Sequence, residues 1–87
     1  MTQVFEIKNK LGLHARAAAA FVKIANRYSS EIFVQKDEMK VNGKSIMGVL
    51  MLAASKGTKI EVSAEGHDSK EALEALHKLI EDKFGEE

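Results

Sequence analysis

Alternating polar and apolar residues mark two segments of this 87-residue chain, at positions 3–8 and 59–65. Alternation with a period of two predicts strands that bury one face. In the segment 31–37, β-branched and aromatic residues predict another strand, with Ile32 and Val34 on one side and Phe33 on the other. A turn at 37–38 and a short returning strand at 39–41 would follow it, so the pattern predicts four strands.

Apolar residues recur at helical spacing in two other segments. The segment 15–28 also contains four consecutive alanines, which have high helix propensity. The other segment begins after Asp68, where Glu71 completes a capping-box pattern, and a helix there would end at Gly85. The sequence therefore predicts two amphipathic helices.

The segment 46–53 is almost entirely apolar, so its periodicity alone does not separate a short helix from a buried strand. Ser45 is a good N-cap residue, and Gly57 provides a stop signal. We therefore predict a third, short helix here. Asn42 and Gly43 precede it and predict a turn, because both residue types tolerate positive φ.

The predicted elements follow the order β-α-β-β-α-β-α. Each strand has a polar side and each long helix has one apolar stripe, which favours two packed layers. We predict an α+β fold, a two-layer open-faced sandwich in which three helices cover one face of a four-stranded antiparallel sheet. The chain is long enough for one core, so residues 1–87 are expected to form a single domain.

Composition narrows the functional classes. The chain is 45% hydrophobic and 30% charged, as in an ordinary soluble protein, and has zero formal net charge. Neutrality and few aromatic residues argue against nucleic-acid binding, and no apolar run reaches the roughly 20 residues of a membrane span. The N-terminus has no secretory-signal pattern. We expect a cytoplasmic protein that binds neither nucleic acid nor membrane.

Charge is unevenly distributed between the two halves of the chain. Residues 1–44 carry eight Lys or Arg against four Asp or Glu, and residues 45–87 carry five against nine. This asymmetry would orient the N-terminal half toward an acidic partner. Solvated surface charge on unrelated faces is an equally good explanation.

Several kinds of chemistry have no support in the sequence. The chain contains no cysteine, which excludes disulfides, thiolate metal sites and thiol nucleophiles. His67 and His77 have no partner at metal-ligand spacing, so we expect surface histidines and neither a metal nor another cofactor. A glycine-rich nucleotide loop and a distinctive carboxylate pair are also absent, which argues against a kinase or hydrolase.

His14 and Arg16 are the candidate chemical residues, since they lie at the start of the first predicted helix. A neutral imidazole can attack phosphorus near neutral pH because its ordinary pKa is about 6.5. Unpaired amides at a helix N-terminus and an arginine fork both stabilise phosphate. These residues suggest a phosphohistidine site, and the alternative is a loop histidine beside a solvated arginine.

Two segments of the chain resemble both signatures of the histidine-containing phosphocarrier family, HPr. The segments are Leu11-Gly12-Leu13-His14-Ala15-Arg16 and Val41-Asn42-Gly43-Lys44-Ser45-Ile46-Met47-Gly48-Val49. Chain length, element order and the distance between the segments also agree with the family. The resemblance implies a phosphocarrier of the bacterial phosphoenolpyruvate-dependent sugar phosphotransferase system (PTS). Such a protein receives a phosphoryl group on its histidine from enzyme I, passes it to IIA proteins and catalyses no turnover alone.

The same resemblance implies roles for residues around His14. The phosphate would lie on its Nδ1 atom, supported by Arg16 and by the backbone near Gly12, Ala15 and Ala17. The family usually has proline where this chain has Ala17. Alanine gives up the preset φ of proline but restores a backbone donor near the phosphate, so we expect phosphotransfer to survive with an altered lifetime of the phosphorylated form.

Ser45 has a structural and a regulatory interpretation, which are compatible. It would cap the short helix, and in part of the family the matching serine is phosphorylated by HPr kinase/phosphorylase. A regulatory binding module controlled by Ser45 is therefore the alternative function. Family members of that kind lack the active histidine, so His14 counts against it.

The resemblance also implies a docking surface for partner proteins, on a chain that we expect to be a monomer. Its expected members are Lys23, Arg27, Ile46, Met47, Gly48 and Met51. Exposed methionine adapts to several partners, and the basic residues could meet acidic ones. The alternatives are that the methionines fill the core and that the basic residues are only solvated.

Overall fold

The computed structural model describes residues 1–86 and has the predicted order of elements. The strands are β1 (Thr2–Glu6), β2 (Glu31–Lys36), β3 (Met39–Asn42) and β4 (Lys59–Glu65). The helices are α1 (Ala15–Ala25), α2 (Ile46–Met51) and α3 (Ser69–Glu81), followed by a 3-10 turn over Lys83–Gly85. None of the helices in this part of the chain is both long and apolar enough to cross a membrane.

The four strands form one antiparallel sheet in the order β1-β4-β2-β3. The alternation in β4 was predicted correctly, since Ile60, Val62 and Ala64 are buried. The helices cover this apolar side, where α1 contributes Phe21 and α3 contributes Leu76 to a single core. The outer side of β4 is polar, with Lys59, Glu61, Ser63 and Glu65, as antiparallel sheets permit. The predicted fold class is therefore confirmed.

All three helices end earlier than the sequence predicts. At the end of α1, the amide of Tyr28 donates to the carbonyl of Ala25 (3.2 Å), so the chain tightens and leaves the helix. α2 ends before Ala53, whose φ of 50° is left-handed, and Gly57 is not its stop. After α3, Lys83 and Phe84 both have a left-handed φ, which ends the helical pattern, and the Phe84 ring is buried in the core.

The turn at Gly43 forms for a different reason from the one expected. Asn42 belongs to β3, and neither residue has a positive φ. A Cβ atom on Gly43 would lie only 3.1 Å from the Cβ atom of Ile32. The position therefore requires glycine because of close packing and not because of backbone conformation.

Asp68 is the N-cap residue of α3, but the predicted capping box with Glu71 is wrong. The Asp68 carboxylate accepts hydrogen bonds from the amides of Ser29 (2.9 Å) and Ser30 (3.0 Å) and from the Ser30 hydroxyl. The Ser30 hydroxyl is the main cause that lowers the pKa of Asp68 from 3.8 to about 2. This carboxylate joins the α1–β2 connection to the start of α3.

We expect Asp68→Asn to lower the free energy of unfolding at neutral pH. Because the pKa is lower in the folded state, the ionised carboxylate contributes its full stabilisation above pH 3.8 and loses it as the pH falls through about 2. The difference from the native chain should therefore shrink over that window. Urea unfolding at several pH values measures it, with Glu71→Gln as the control that should change little. Equal midpoints for Asp68→Asn and the native chain at neutral pH would contradict the assignment.

Candidate functional site

His14 is the N-cap residue of α1, where the sequence places it. Its backbone is extended (φ −81°, ψ −177°), and its side chain makes no capping hydrogen bond. The first intrahelical hydrogen bond runs from the amide of Ala18 to the carbonyl of His14 (2.8 Å). The amides of Ala15, Arg16 and Ala17 therefore form the unpaired first turn. They and the helix dipole favour an anion beside the imidazole.

Gly12 fixes the approach of the chain to this helix. Its φ is +70°, and a Cβ atom there would lie 2.9 Å from the Cα atom of Ser55. The next amide, of Leu13, donates to the carbonyl of Ala54 (2.8 Å), and the Leu13 side chain is buried. The loop before His14 is thus held against the segment after α2. These contacts set the position of the imidazole.

The imidazole contacts Glu86, which is in turn held by Asn9, and sequence reasoning identified neither residue. Its Nε2 atom is hydrogen-bonded to the carboxylate of Glu86. The side-chain amide of Asn9 donates both to the other oxygen of that carboxylate (3.0 Å) and to the carbonyl of Gly12 (2.8 Å). Asn9 is 1% exposed. The sequence signal that could have pointed to Asn9 is weak, since it is a polar residue directly after the predicted strand 3–8.

The Glu86 carboxyl has a pKa below its ordinary value. The main cause is the hydrogen bond from Asn9, with smaller contributions from His14 and the charge of Arg16, while burial opposes them. The group is therefore ionised at neutral pH, and an ionised carboxylate can only accept hydrogen bonds. It follows that Nε2 of His14 carries the proton in this contact.

An open concave surface with a volume of about 740 Å³ surrounds the imidazole. The His14 side chain is 30% exposed, so a visiting protein could reach the ring. Lys10 and Arg16 place positive charge at this surface. The lining residues are Lys10, Leu11, His14, Ala15, Arg16, Gly85 and Glu86.

Ser45 caps α2 as expected, since its Oγ atom accepts a hydrogen bond from the amide of Gly48 (3.1 Å). A Cβ atom on Gly48 would lie 3.3 Å from the carbonyl oxygen of Asn42. Close packing within the chain therefore favours glycine at this position, whatever its role in docking.

The expected docking residues on α2 are exposed. Met47 and Met51 are 69% and 63% exposed, so the alternative that they fill the core is wrong. Ile46 is also exposed, as are Lys23 on α1 and Arg27 in the turn that follows α1. Their part in docking stays a prediction.

The other two histidines are exposed, as expected for surface residues. The Nδ1 atom of His67 lies 3.4 Å from the Ser29 hydroxyl, and the His77 ring stacks on Phe5 with 5.0 Å between ring centroids. Neither belongs to the surface around His14. Within residues 1–86, no group of three or more His, Asp or Glu side chains is arranged to hold a metal ion.

Comparison with known proteins decides the family. The family model described as "PTS HPr component phosphorylation site" matches residues 1–82. The chain belongs to the HPr family. The resemblance seen in two segments thus extends over nearly the whole sequence, and membership places the chain among the phosphocarriers of the PTS, which are not catalysts.

Close relatives carry two different names. HPr of Neisseria meningitidis serogroup A is 54% identical over 86 residues, covering 99% of this chain and 97% of the relative. The HPr-like protein Crh of Halalkalibacterium halodurans is 55% identical over 76 residues, covering 87% and 90%. Sequence identity alone therefore does not separate an HPr from a Crh-like protein.

Solved structures of the HPr family have the same fold. The crystal structure of HPr-C-His from Thermoanaerobacter tengcongensis has a TM-score of 0.96 and 56% identity, and the match covers 100% of this chain and 98% of that one. The HPr dimer from the same organism has a TM-score of 0.80 and 58% identity, with 94% of each chain covered. The expectation of a monomer therefore stays a prediction.

Proposed function

We propose that this chain accepts a phosphoryl group on His14 from phosphorylated enzyme I and passes it to IIA proteins of the PTS. The observation that carries the proposal is an accessible imidazole at the N-cap of an 11-residue helix whose first amides are unpaired. Arg16 adds a permanent positive charge to the same concave surface. This arrangement suits a phosphate that must be held briefly and then released.

The proposed transfer needs no cofactor. A lone pair of the neutral imidazole attacks phosphorus, the N–P bond forms, and the bond from phosphorus to the donor breaks with its electron pair on the donor. The unpaired amides of Ala15 and Arg16 and the guanidinium of Arg16 stabilise the charge on the phosphate oxygens. Transfer to the acceptor reverses these steps, and the imidazole is regenerated unchanged.

We expect Arg16→Gln to slow phosphoryl acceptance by about 10- to 100-fold, because hydrogen bonds to a charged group contribute roughly 1.5–3 kcal/mol. Arg16 is exposed, so its loss should leave the unfolding midpoint nearly unchanged. Initial rates with enzyme I and phosphoenolpyruvate measure the effect, with Lys70→Gln, which removes an exposed positive charge on α3, as the control. A normal rate for Arg16→Gln would show that Arg16 has no role in phosphoryl acceptance.

The docking surface proposed for enzyme I and the IIA proteins includes exposed residues of α1, of the turn that follows α1 and of α2. Met47 and Met51 supply adaptable apolar contacts, and Lys23 and Arg27 supply positive charge. We place this carrier in the cytoplasm, where these partners act, and treat it as a single domain.

Regulation at Ser45 is a second candidate function, favoured by the high identity to the Crh protein. Ser45 lies at the start of α2, where a phosphate would gain from the helix dipole. Phosphorylation by an HPr kinase/phosphorylase would add negative charge close to the docking residues Ile46 and Met47. His14 favours the carrier function as the main one.

Incubation of the native chain with enzyme I and phosphoenolpyruvate tests the proposed function. We expect one phosphoryl group per chain, labile in acid and stable in alkali, and its transfer to an added IIA protein. Incubation with HPr kinase/phosphorylase and ATP tests the second candidate, whose product would be acid-stable. Failure of the first reaction and success of the second would favour the regulatory module.

A further inference from the structure

A continuous path of hydrogen bonds links the loop before α1 to the imidazole through the far end of the chain. Asn9 donates to the carbonyl of Gly12 and to one oxygen of Glu86, a residue 77 positions away. The other oxygen of Glu86 accepts from Nε2 of His14. The carboxylate therefore bridges the buried amide of Asn9 and the half-exposed ring.

The orientation of the Asn9 amide follows from its two partners. Both contacts are made by its nitrogen to oxygen acceptors, which requires the two hydrogens of the NH2 group. Its own oxygen is buried and has no hydrogen-bond partner among residues 1–86. A buried polar atom without a partner is costly, so the amide is oriented for its two donor contacts at the expense of its acceptor.

We propose that Glu86, held by Asn9, is a positioning residue that fixes the proton of His14 on Nε2 and leaves Nδ1 as the nucleophile. The proposal deepens the proposed function, on which its chemical meaning rests. The contact occupies Nε2, so that atom is not available to attack phosphorus. Nδ1 is the ring nitrogen that this contact leaves available to bond to phosphorus.

The fixed proton also balances the charge of the transfer. When the Nδ1 lone pair forms a bond to phosphorus, the ring becomes a cation because Nε2 keeps its hydrogen. The bond from phosphorus to the donor breaks, and its electron pair stays on the donor. The Glu86 carboxylate stabilises the ring cation through the existing contact, and no proton has to move. The ring then leaves as a neutral imidazole in the next transfer.

Glu86→Gln tests the control of the His14 tautomer, because Asn9 would fix the orientation of the new side-chain amide. The NH2 group of Asn9 requires an oxygen at the nearer position, which turns the NH2 group of the new glutamine toward His14. That group can only donate, so it favours the tautomer with a bare Nε2 and the proton on Nδ1. Replacing an orienting carboxylate by an amide is known to trap a histidine in the wrong tautomer in the Ser-His-Asp triad.

Nitrogen-15 NMR of the unphosphorylated protein at alkaline pH reads the tautomer directly. We expect the native chain to show a protonated Nε2 and a bare Nδ1, and Glu86→Gln to show a large shift toward the opposite pattern. Glu74→Gln, on the exposed side of α3, is the matched control and should resemble the native chain. Identical tautomer ratios in the native chain and in Glu86→Gln would overturn the proposal.

The rate of phosphoryl acceptance provides the second measurement. We expect Glu86→Gln to accept phosphate about tenfold more slowly, as for loss of one hydrogen bond to a charged group, with Glu74→Gln unchanged. An unchanged or faster rate would overturn the proposal. A faster rate would show that the negative charge of Glu86 slows the reaction by repelling the incoming phosphate. If no variant accepts phosphate, the native chain included, the proposed function fails while the tautomer result still tests the contact.

Discussion

His14→Ala is expected to abolish the acid-labile phosphorylation and to leave the fold intact. The imidazole is the only nucleophile at the concave surface that combines exposure with the unpaired amides of α1 within residues 1–86. Its side chain makes no capping hydrogen bond, and its contact with Glu86 is partly exposed. The free energy of unfolding should therefore change by less than about 1 kcal/mol.

His67→Ala and His77→Ala are the matched controls, since both histidines are exposed and lie outside this surface. Each should accept one phosphoryl group at the native rate. Mass spectrometry under alkaline conditions gives the extent of phosphorylation, and circular dichroism gives the fold. Phosphorylation that persists in His14→Ala would move the site to another residue.

Gly12→Ala should cause the largest loss of stability among the changes considered. The position combines a left-handed φ with a close approach to Ala54 and Ser55. The strained φ and the overpacking together should cost roughly 3 kcal/mol or more. The displaced loop would also move His14, so phosphoryl acceptance should fall even in the molecules that remain folded.

Gly57→Ala distinguishes the cost of a left-handed φ from the cost of close packing. Its φ of +89° is also left-handed, but nothing lies within 4 Å of the Cβ position. Only the conformational cost of roughly 1–2 kcal/mol is expected there, with normal phosphoryl acceptance. Urea unfolding and initial rates compare the two variants. Equal losses of stability would show that packing against Ala54 is unimportant.

The parts of the fold that were predictable depend on local patterns. The strand β4 was predicted with its observed bounds because its alternation is uninterrupted from Lys59 to Glu65. Ser45 was recognised as a cap because N-cap preference is a property of neighbouring residues in sequence. His14 was placed at the start of α1 because the helical spacing of apolar residues begins directly after it.

The errors concern contacts between distant positions. Asp68 and Glu71 have the spacing of a capping box, but Asp68 accepts from serines 38 and 39 positions away. No pattern within one segment could indicate that competition. The early ends of α2 and α3 are followed by the left-handed residues Ala53, Lys83 and Phe84, whose residue types do not suggest that conformation.

The site was predicted only in part, for the same physical reason. His14 and Arg16 were found because the helix entrance and the family signature are both local. Asn9 and Glu86 were missed, because their contact forms only when the end of the chain returns to the loop before α1. Asn9 and Glu86 can therefore be assigned to the site only from the folded structure.

The claim that Nδ1 of His14 is the nucleophile is tested most directly by identifying which nitrogen atom is bonded to phosphorus. Nitrogen-15-labelled protein would be phosphorylated by enzyme I and phosphoenolpyruvate, and coupling between phosphorus and nitrogen would be recorded by NMR. The account predicts a single phosphorus bonded to Nδ1 of His14, with Nε2 still protonated. Phosphorus on Nε2, or on any residue other than His14, would contradict it.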